Sequence, residues 1–327
     1  MKKAARSSSR LAGPLVGLAL ASILLVLAGC AGAPAPATPA PPAAVPLRTD
    51  RPVLLLGEVH DNAAGHALRL RTFDAWLATG ARPALVLEQF EPADQPVLDA
   101  ATRRAAQATP GTPLPSGAEV VAAVLAARGA GAAAVGWHWP FYEPYIERAL
   151  RDRLPLVAAN VGREEAGRVM REGLAAAGFD PAVPEDLLAA HTQAIEASHC
   201  GQVDAALARR MALAQVARDQ RMAGALAAHA QRGAVLLAGN EHVRNDRGVP
   251  RWLGPALRER VQSVGFVERP APAGAFDQQS TVPPQPRPDP CAAMRRQPRR
   301  PWPRLRPVRR PPPARRSAAG PLGRRTC

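Results

Sequence analysis

Short apolar runs of strand length alternate with alanine-rich stretches of helical spacing from Arg51 onward. Uninterrupted apolar runs are typical of strands that are covered on both faces, and their alternation with helices is typical of βαβ units. The pattern therefore predicts an α/β fold in which a mostly parallel β-sheet is flanked by helices. The predicted strands are Val53–Glu58, Ala84–Glu88, Ala132–Gly136, Leu154–Asn160, Ala234–Gly239 and, as a last addition, Ser263–Glu268.

Helical spacing of apolar residues continues between and after these runs. Between Glu164 and Gln231 no strand-like run occurs, and alanine, leucine, arginine and glutamate recur with helical periodicity. We therefore expect residues 163–231 to form a smaller, inserted, all-helical subdomain. The other predicted helices are Gly65–Thr79, Gly117–Arg128, Pro144–Arg151 and Pro250–Val261.

The composition changes at both ends of this pattern. Residues 31–52 contain seven prolines among small residues, which predicts an extended, semi-rigid tether. Residues 271–327 are rich in proline and arginine and poor in large aliphatic residues, which predicts a disordered tail without a core. The folded domain is accordingly expected at residues 53–270.

Residues 1–30 have the composition of an export signal. A basic start is followed by the apolar run Leu11–Ala28 and by small residues before Cys30. This order resembles a bacterial lipoprotein signal peptide with its lipobox, which implies that Cys30 carries palmitate and anchors the mature protein. Because Ala31 follows, the resemblance implies the outer membrane, with the domain exposed to the periplasm or the cell surface. The alternative is an uncleaved membrane anchor, since the run is near the lower length limit for spanning.

Export also changes the interpretation of the remaining cysteines. Cys200 and Cys291 would lie in an oxidising compartment, where disulfides persist. We expect these two cysteines to pair, which leaves Cys327 without an assigned partner.

The net charge of +15 is concentrated at the chain ends. Four basic residues lie in Met1–Arg10 and twelve in Arg295–Arg325, which leaves a charge near −1 for the rest of the chain. A nearly neutral domain without a basic stripe argues against a nucleic-acid partner.

Polar residues follow the predicted strands at their carboxyl ends, where open parallel sheets bind ligands. Glu58 and His60 follow the first strand, Glu88 the second, and His242 and Arg244 the fifth. In an extended chain, side chains two residues apart lie on the same side, so Glu58 and His60 can address one ion, water or hydrogen-bonded group. The sequence therefore predicts a shared pocket that Glu88 and His242 complete.

Four blocks of sequence between residues 50 and 270 occur in a characteristic order: Leu55–Asn62 with His66 shortly after it, Val86–Phe90, Trp139–Pro144 and Ala238–Pro250. Together they resemble the ChaN-type haem-binding lipoproteins. The resemblance implies a haem carrier of a bacterial iron-uptake route, and not an enzyme. In that family two haems stack face to face inside a homodimer, each iron is held by a tyrosine, and histidine and lysine bind the propionates.

Carried over residue by residue, the resemblance implies that Tyr142 is the iron ligand, because it stands in the Trp-Pro-x-Tyr-x-Pro block. The charged residues of the other blocks, Glu58, His60, Glu88, His242 and Arg244, are expected to line the haem pocket. His66 is interpretable either as a propionate contact or as a residue of the helix surface. No lysine follows Lys3, so Arg244 or an arginine of the helical insert must replace the family's lysine. Without the resemblance, Tyr142 would be interpreted as a core aromatic residue.

The sequence is compatible with three functions. The first is haem binding, with haem as the cofactor and an outer-membrane haem receptor as a possible partner. The second is a metal-dependent hydrolase, in which Glu58, His60, Glu88 and His242 bind a metal or act as general base. The third is an adaptor lipoprotein without a ligand.

Overall fold

The computed structural model describes residues 43–129 and 136–292 of the chain. Six strands form one all-parallel sheet in the order β3-β2-β4-β1-β5-β6, which confirms the predicted α/β fold class. The strands are β1 (Val53–Leu56), β2 (Ala84–Leu87), β3 (Leu156–Ala158), β4 (Ala234–Leu237), β5 (Val261–Val267) and β6 (Gln278–Thr281).

The central strands are buried on both faces. In β1, Leu54 and Leu56 join one hydrophobic cluster, whereas Val53 and Leu55 join another on the opposite side of the sheet. Successive strand side chains point to opposite faces, so an uninterrupted apolar run requires cover on each face. Helices supply this cover. They are α1 (Ala63–Ala78), α2 (Gln95–Gln107), α3 (Gly117–Arg128), α4 (Glu143–Arg151), α5 (Arg163–Glu172), α6 (Glu185–Ser198), α7 (Ala205–His229), α8 (Asn240–Val243) and α9 (Pro255–Arg258).

Local signals in the sequence explain the helix boundaries. Asn62 caps α1 because its side chain accepts the backbone N–H of Gly65 at 2.7 Å. Ser116 and Glu119 form a reciprocal capping box at the start of α3. The prediction of one helix over Pro250–Val261 is wrong. This stretch contains most of a 3-10 turn, then the short helix α9, and then the first residue of β5.

The stretch predicted as a helical insert, residues 163–231, contains α5, α6 and α7, which are joined by a 3-10 turn and loops, and its last helix also belongs to the main domain. The first part of α7 packs with α5 around Val169 and Val216. Its last turns place Met222 and Leu226 in the cluster that covers one face of the sheet. Helix α7 therefore connects the insert rigidly to the sheet. None of the described helices is long and apolar enough to cross a membrane.

The domain extends beyond both predicted boundaries. The backbone N–H of Val45 donates to the Thr72 hydroxyl at 3.1 Å, so the chain already packs on the domain within the predicted tether. The tail predicted from residue 271 is also wrong at its start, because β6 pairs with β5 and Val282 is buried behind it. Backbone pairing orders this polar, proline-rich stretch although it contributes little to the core.

A disulfide fastens the end of this ordered stretch. Cys200, which follows α6, is bonded to Cys291, and their Cα atoms are 5.6 Å apart. This is the pairing that the sequence analysis expects. The predicted strand Ala132–Gly136, apart from Gly136, lies outside the described residues, as do Cys30, Cys327 and residues 293–327.

Candidate functional site

A cleft of about 910 Å³ opens at the carboxyl ends of β1, β4 and β5. Its size is near the upper end of the range for small-molecule sites. The residues that directly follow the three strands form its floor, α6 forms one wall, and residues 284–290 form another. Four of the sequence-predicted residues lie together on the floor, namely Glu58, His60, His242 and Arg244.

Glu58 is a buried carboxylate with a partner on each side. Its Oε1 accepts the Tyr142 hydroxyl at 2.6 Å and the Nδ1–H of His60 at 2.8 Å, and its Oε2 pairs with the Arg69 guanidinium. Burial alone would raise the pKa of Glu58, but the charge of Arg69 and the hydrogen bond from His60 lower this pKa to about 2. Glu58 is therefore ionised at any physiological pH.

Arg69 organises the buried side of this cluster. It is fully buried on α1, its Nε donates to the Tyr145 hydroxyl at 3.1 Å, and its Nη2 donates to Nδ1 of His66 at 3.1 Å. The sequence analysis missed Arg69. Its spacing from His66 and Phe73, at positions i, i+3 and i+7 of α1, is the signal that could have placed it on the core face.

His66 belongs to the buried cluster, and it does not line the cleft. Its Nε2–H donates to the backbone carbonyl of His60 at 3.0 Å, and its ring stacks on Phe141 with the centroids 4.2 Å apart. Burial and the neighbouring Arg69 charge lower the pKa of His66 to about 4, so the ring is neutral. His66 therefore supports the backbone of His60 in this structure.

Tyr142 also belongs to the buried cluster. Its side chain is fully buried, it is absent from the cleft wall, and its hydroxyl is a donor to Glu58. Burial and the nearby charge of Glu58 raise the pKa of this phenol far above its ordinary value. In the arrangement that the structure describes, Tyr142 is a protonated core residue.

His60 is the histidine of the cluster that faces the cleft. Its side chain is 50% exposed, its ring meets the Trp137 ring edge-on at 4.8 Å, and its Nδ1 is held by Glu58. Its Nε2 makes no hydrogen bond to any residue that the structure describes. Burial lowers the pKa of His60, but the hydrogen bond to Glu58 and the charge of Glu88 raise it more, and the net shift is upward.

Glu88 and His242 form a second carboxylate–imidazole group beside the first. The Gly239 N–H donates to Oε2 of Glu88 at 2.8 Å, and Nε2 of His242 lies 3.5 Å from Oε1 of Glu88. The other ring nitrogen of His242 is 2.6 Å from Oδ1 of Asp219 on α7. Burial lowers the pKa of His242, but the two carboxylates raise it to about 9, so His242 is a cation at neutral pH.

Asp219 and His191 are site residues that the sequence analysis missed. Both come from the helical insert, where no strand end marks them. Asp219 is fully buried, and Nε2 of His191 lies 3.6 Å from its Oδ2 at the edge of the cleft. Among the residues that the structure describes, no group of three or more histidine, cysteine, aspartate or glutamate side chains could hold a metal ion.

Arginines surround the mouth of the cleft. Arg244 donates to both carboxylate oxygens of Asp246, at 2.8 and 2.6 Å, and Arg287 is paired with Asp61 and Glu268. Arg269 is exposed on the lining and forms no hydrogen bond or ion pair within residues 43–129 and 136–292. It directly follows a predicted strand, so the rule that found the other site residues could have found it.

Comparisons with known proteins bear on the family and on the fold of the chain. The sequence model of the family described as haem-binding uptake, Tiki superfamily, ChaN matches residues 48–253, which confirms the resemblance noted in the sequence. A solved structure of cofacial heme binding to ChaN of Campylobacter jejuni has a TM-score of 0.55 at 19% identity, and the match covers 70% of this chain and 86% of that one. A mutant of erythromycin esterase EreC in its open conformation has a TM-score of 0.34 at 12% identity, over 67% and 70% of the two chains. No curated protein sequence matches the chain.

Proposed function

Since the chain belongs to the haem-binding uptake family of the Tiki superfamily that includes ChaN, we propose that it binds haem in the cleft beyond β1, β4 and β5. The cleft itself carries the proposal. It is large enough for a drug-sized or cofactor-sized ligand. Its lining combines apolar side chains with the half-exposed imidazole of His60 and with the guanidinium of Arg269, which has no partner among the described residues.

The lining matches the chemistry of haem, a flat apolar ring system with one iron and two carboxylates. Apolar contact is offered by side chains from several elements, among them Val59, Ile195 and Phe276. Arg269 offers a cation to a propionate, in the role that lysine has in the resemblance described above. Arg244 is a weaker candidate, because Asp246 already occupies its guanidinium.

The proposal includes the assembly and location implied by the resemblance. Haem loading takes place in a homodimer with the two haems face to face. Cys30 carries the lipid that anchors the chain to the outer membrane, where a haem receptor is the natural partner for exchange. The iron ligand is either Tyr142, which the resemblance implies, or a residue of the cleft floor.

Titration of the full-length chain with haemin tests this function, with Soret absorbance reporting binding and light scattering reporting mass. We expect saturable binding and a dimer in the loaded state. Arg269→Ala should weaken binding, whereas Arg103→Ala, which removes an exposed arginine of α2, should not. A folded wild-type chain without saturable binding would contradict the proposal.

A second candidate function is hydrolysis, and the Glu58–His60 pair favours it. A histidine whose Nδ1–H is held by a carboxylate, and whose Nε2 faces a cleft, has the arrangement of a general base. His242, a cation between Glu88 and Asp219, would stabilise developing negative charge. A panel of chromogenic esters, assayed with divalent metal and with chelator, tests this function. Turnover that is lost in His60→Ala would support it.

A further inference from the structure

We propose that the edge of the sheet opposite the cleft is a docking surface for anionic phospholipid headgroups, formed by an arginine at the amino end of each of five neighbouring strands. These five residues are called the arginine row below. In the order of the strands β3-β2-β4-β1-β5 they are Arg153, Arg82, Arg232, Arg51 and Arg260. The proposal goes beyond haem binding, and it takes from the proposed function only the lipid at Cys30, which keeps the domain near a bilayer.

The register of the sheet aligns the arginine row. Val53 of β1 is the partner of Ala234 in β4, and Ala234 is the partner of Ala84 in β2. The residues two positions before these three partners are Arg51, Arg232 and Arg82. The other two members extend the row to the flanking strands β3 and β5. Since neighbouring strands lie about 4.8 Å apart, five strands give the row a width of about 19 Å.

The arginine row exists only in the folded chain. Its members come from five separate segments, so no run of basic residues marks it in the sequence. In an all-parallel sheet every strand begins at the same edge, and this topology collects the five residues there. The charge near −1 of the chain between its basic ends therefore conceals a local basic surface.

Little negative charge on the protein compensates the arginine row. Four of its members are exposed, and none of these four forms an ion pair within residues 43–129 and 136–292; they are Arg82, Arg153, Arg232 and Arg260. Arg51 is half-buried, and its Nη1 lies 4.0 Å from Oδ1 of Asp277. Four uncompensated cations thus remain at one edge of the sheet.

Most carboxylates beside the arginine row have other partners. Asp50 pairs with Arg48 at 2.6 Å, and Asp152 pairs with Arg151 at 3.3 Å. Glu259 is exposed and weakens the positive charge at the β5 end of the row. The surface as a whole keeps an excess of positive charge.

Contacts with backbone carbonyls fix the arginines in place but leave most of their donors unused. Nη1 of Arg82 donates to the carbonyl of Ala81 at 2.8 Å, and Nη1 of Arg232 donates to the carbonyl of Arg82 at 3.3 Å. Nη2 of Arg260 donates to the carbonyl of Ala230 at 3.2 Å, just after α7. A guanidinium has five N–H donors, and the carbonyls at a helix end offset only about half an elementary charge. Each cation therefore retains donors and charge for a phosphate, whose geometry the guanidinium fork matches.

An anionic bilayer is the occupant that the layout of the chain favours. Thirteen residues lead from Cys30 to Ala43, and a chain of that length reaches at most about 45 Å. A lipid at Cys30 would hold the domain within this distance of headgroups, and arginines near an anionic membrane surface are attracted to it. Residues 293–327 contain arginines and no acidic residue, so charge repulsion argues against this segment as the cover of the row.

Docking by the arginine row would orient the cleft. The row lies at the amino ends of the strands, and the cleft opens at the carboxyl ends of β1, β4 and β5. A domain that rests on a bilayer by the row therefore opens its cleft away from the membrane. This orientation leaves the cleft accessible to a second copy of the chain or to another protein.

Footprinting of arginines with phenylglyoxal, followed by peptide mass spectrometry, tests the surface in the full-length chain. The chain is reconstituted with vesicles of phosphatidylcholine that contain or lack phosphatidylglycerol. We expect the four exposed members of the row to react about fivefold more slowly when phosphatidylglycerol is present. Arg103 and Arg269, which are exposed elsewhere, should react equally fast in both. Salt at about 1 M, which shortens the Debye length to about 3 Å, should abolish the difference.

Two double variants of equal charge distinguish the row from general attraction to the bilayer. Arg82→Gln/Arg232→Gln removes two exposed cations from the middle of the row. Arg103→Gln/Arg104→Gln removes two exposed cations from α2. With phosphatidylglycerol present, we expect the remaining exposed arginines of the row to lose protection in the first variant and to keep it in the second. Circular dichroism verifies that both variants are folded.

The outcomes test the docking surface independently of haem. Row arginines that react equally fast with both kinds of vesicle would overturn the proposal, and so would a protection that Arg103 and Arg269 share. Protection by duplex DNA without a response to phosphatidylglycerol would overturn it in favour of a soluble polyanion. Haem does not enter the measurement, so a failure of the proposed haem function leaves this result unaffected. Protection that is confined to the row and lost in Arg82→Gln/Arg232→Gln would establish the surface.

Discussion

Removing the disulfide should destabilise the domain by an amount that follows from its position in the chain. Cys200 and Cys291 are separated by 91 residues, so the bond closes a long loop in the unfolded state. For a loop of that length, the loss of chain entropy corresponds to about 4 to 5 kcal/mol at 25 °C. Removal of a native disulfide typically costs about 2–5 kcal/mol. We therefore expect the double variant Cys200→Ser/Cys291→Ser to lose about 2–4 kcal/mol of unfolding free energy.

Equilibrium unfolding in urea, followed by circular dichroism at one protein concentration, measures this loss. Cys327→Ser is the matched control, because it removes a thiol without removing the bond, and it should leave the urea midpoint unchanged. Reducing agent should lower the midpoint of the wild type and have no effect on the double variant. A loss below about 1 kcal/mol in the double variant would refute the loop-closure reasoning, because so long a loop should carry a larger entropy term.

Three further predictions concern other parts of the molecule. Arg69→Met should cost about 3–5 kcal/mol of unfolding free energy, because it leaves the buried Glu58 charge without its cation. Arg69→Lys should cost less, and urea unfolding of both variants compares them. The pKa of His242, about 9 in the folded chain and near 6.5 when unfolded, implies a stabilisation that is complete below about pH 6.5 and is lost as the pH rises through 9. His242→Gln should remove this dependence, which urea midpoints between pH 6 and 10 measure. Cys30→Ser should abolish incorporation of labelled palmitate in cells, whereas Cys327→Ser should not.

The part of the fold that the sequence predicts is the part held by apolar burial. Strands β1, β2 and β4 are entirely buried, and each is directly preceded by a proline or a glycine. Strand β6 was missed because its sequence, Gln-Gln-Ser-Thr, alternates only between half-buried and exposed polar residues, and backbone pairing to β5 is what holds it. Helix α2 was missed because only Leu98 and two alanines of it are buried.

The site residues also fall into a group that the sequence predicts and a group that it does not. Glu58, His60, Glu88 and His242 follow strands, and the topology of a parallel sheet brings strand ends together whatever the rest of the chain does. Arg69 and Asp219 come from helices, and no local pattern shows that their charges are compensated by residues far away in the chain. The burial of Tyr142 belongs to this second class, because the same aromatic residue suits a core and a pocket wall equally.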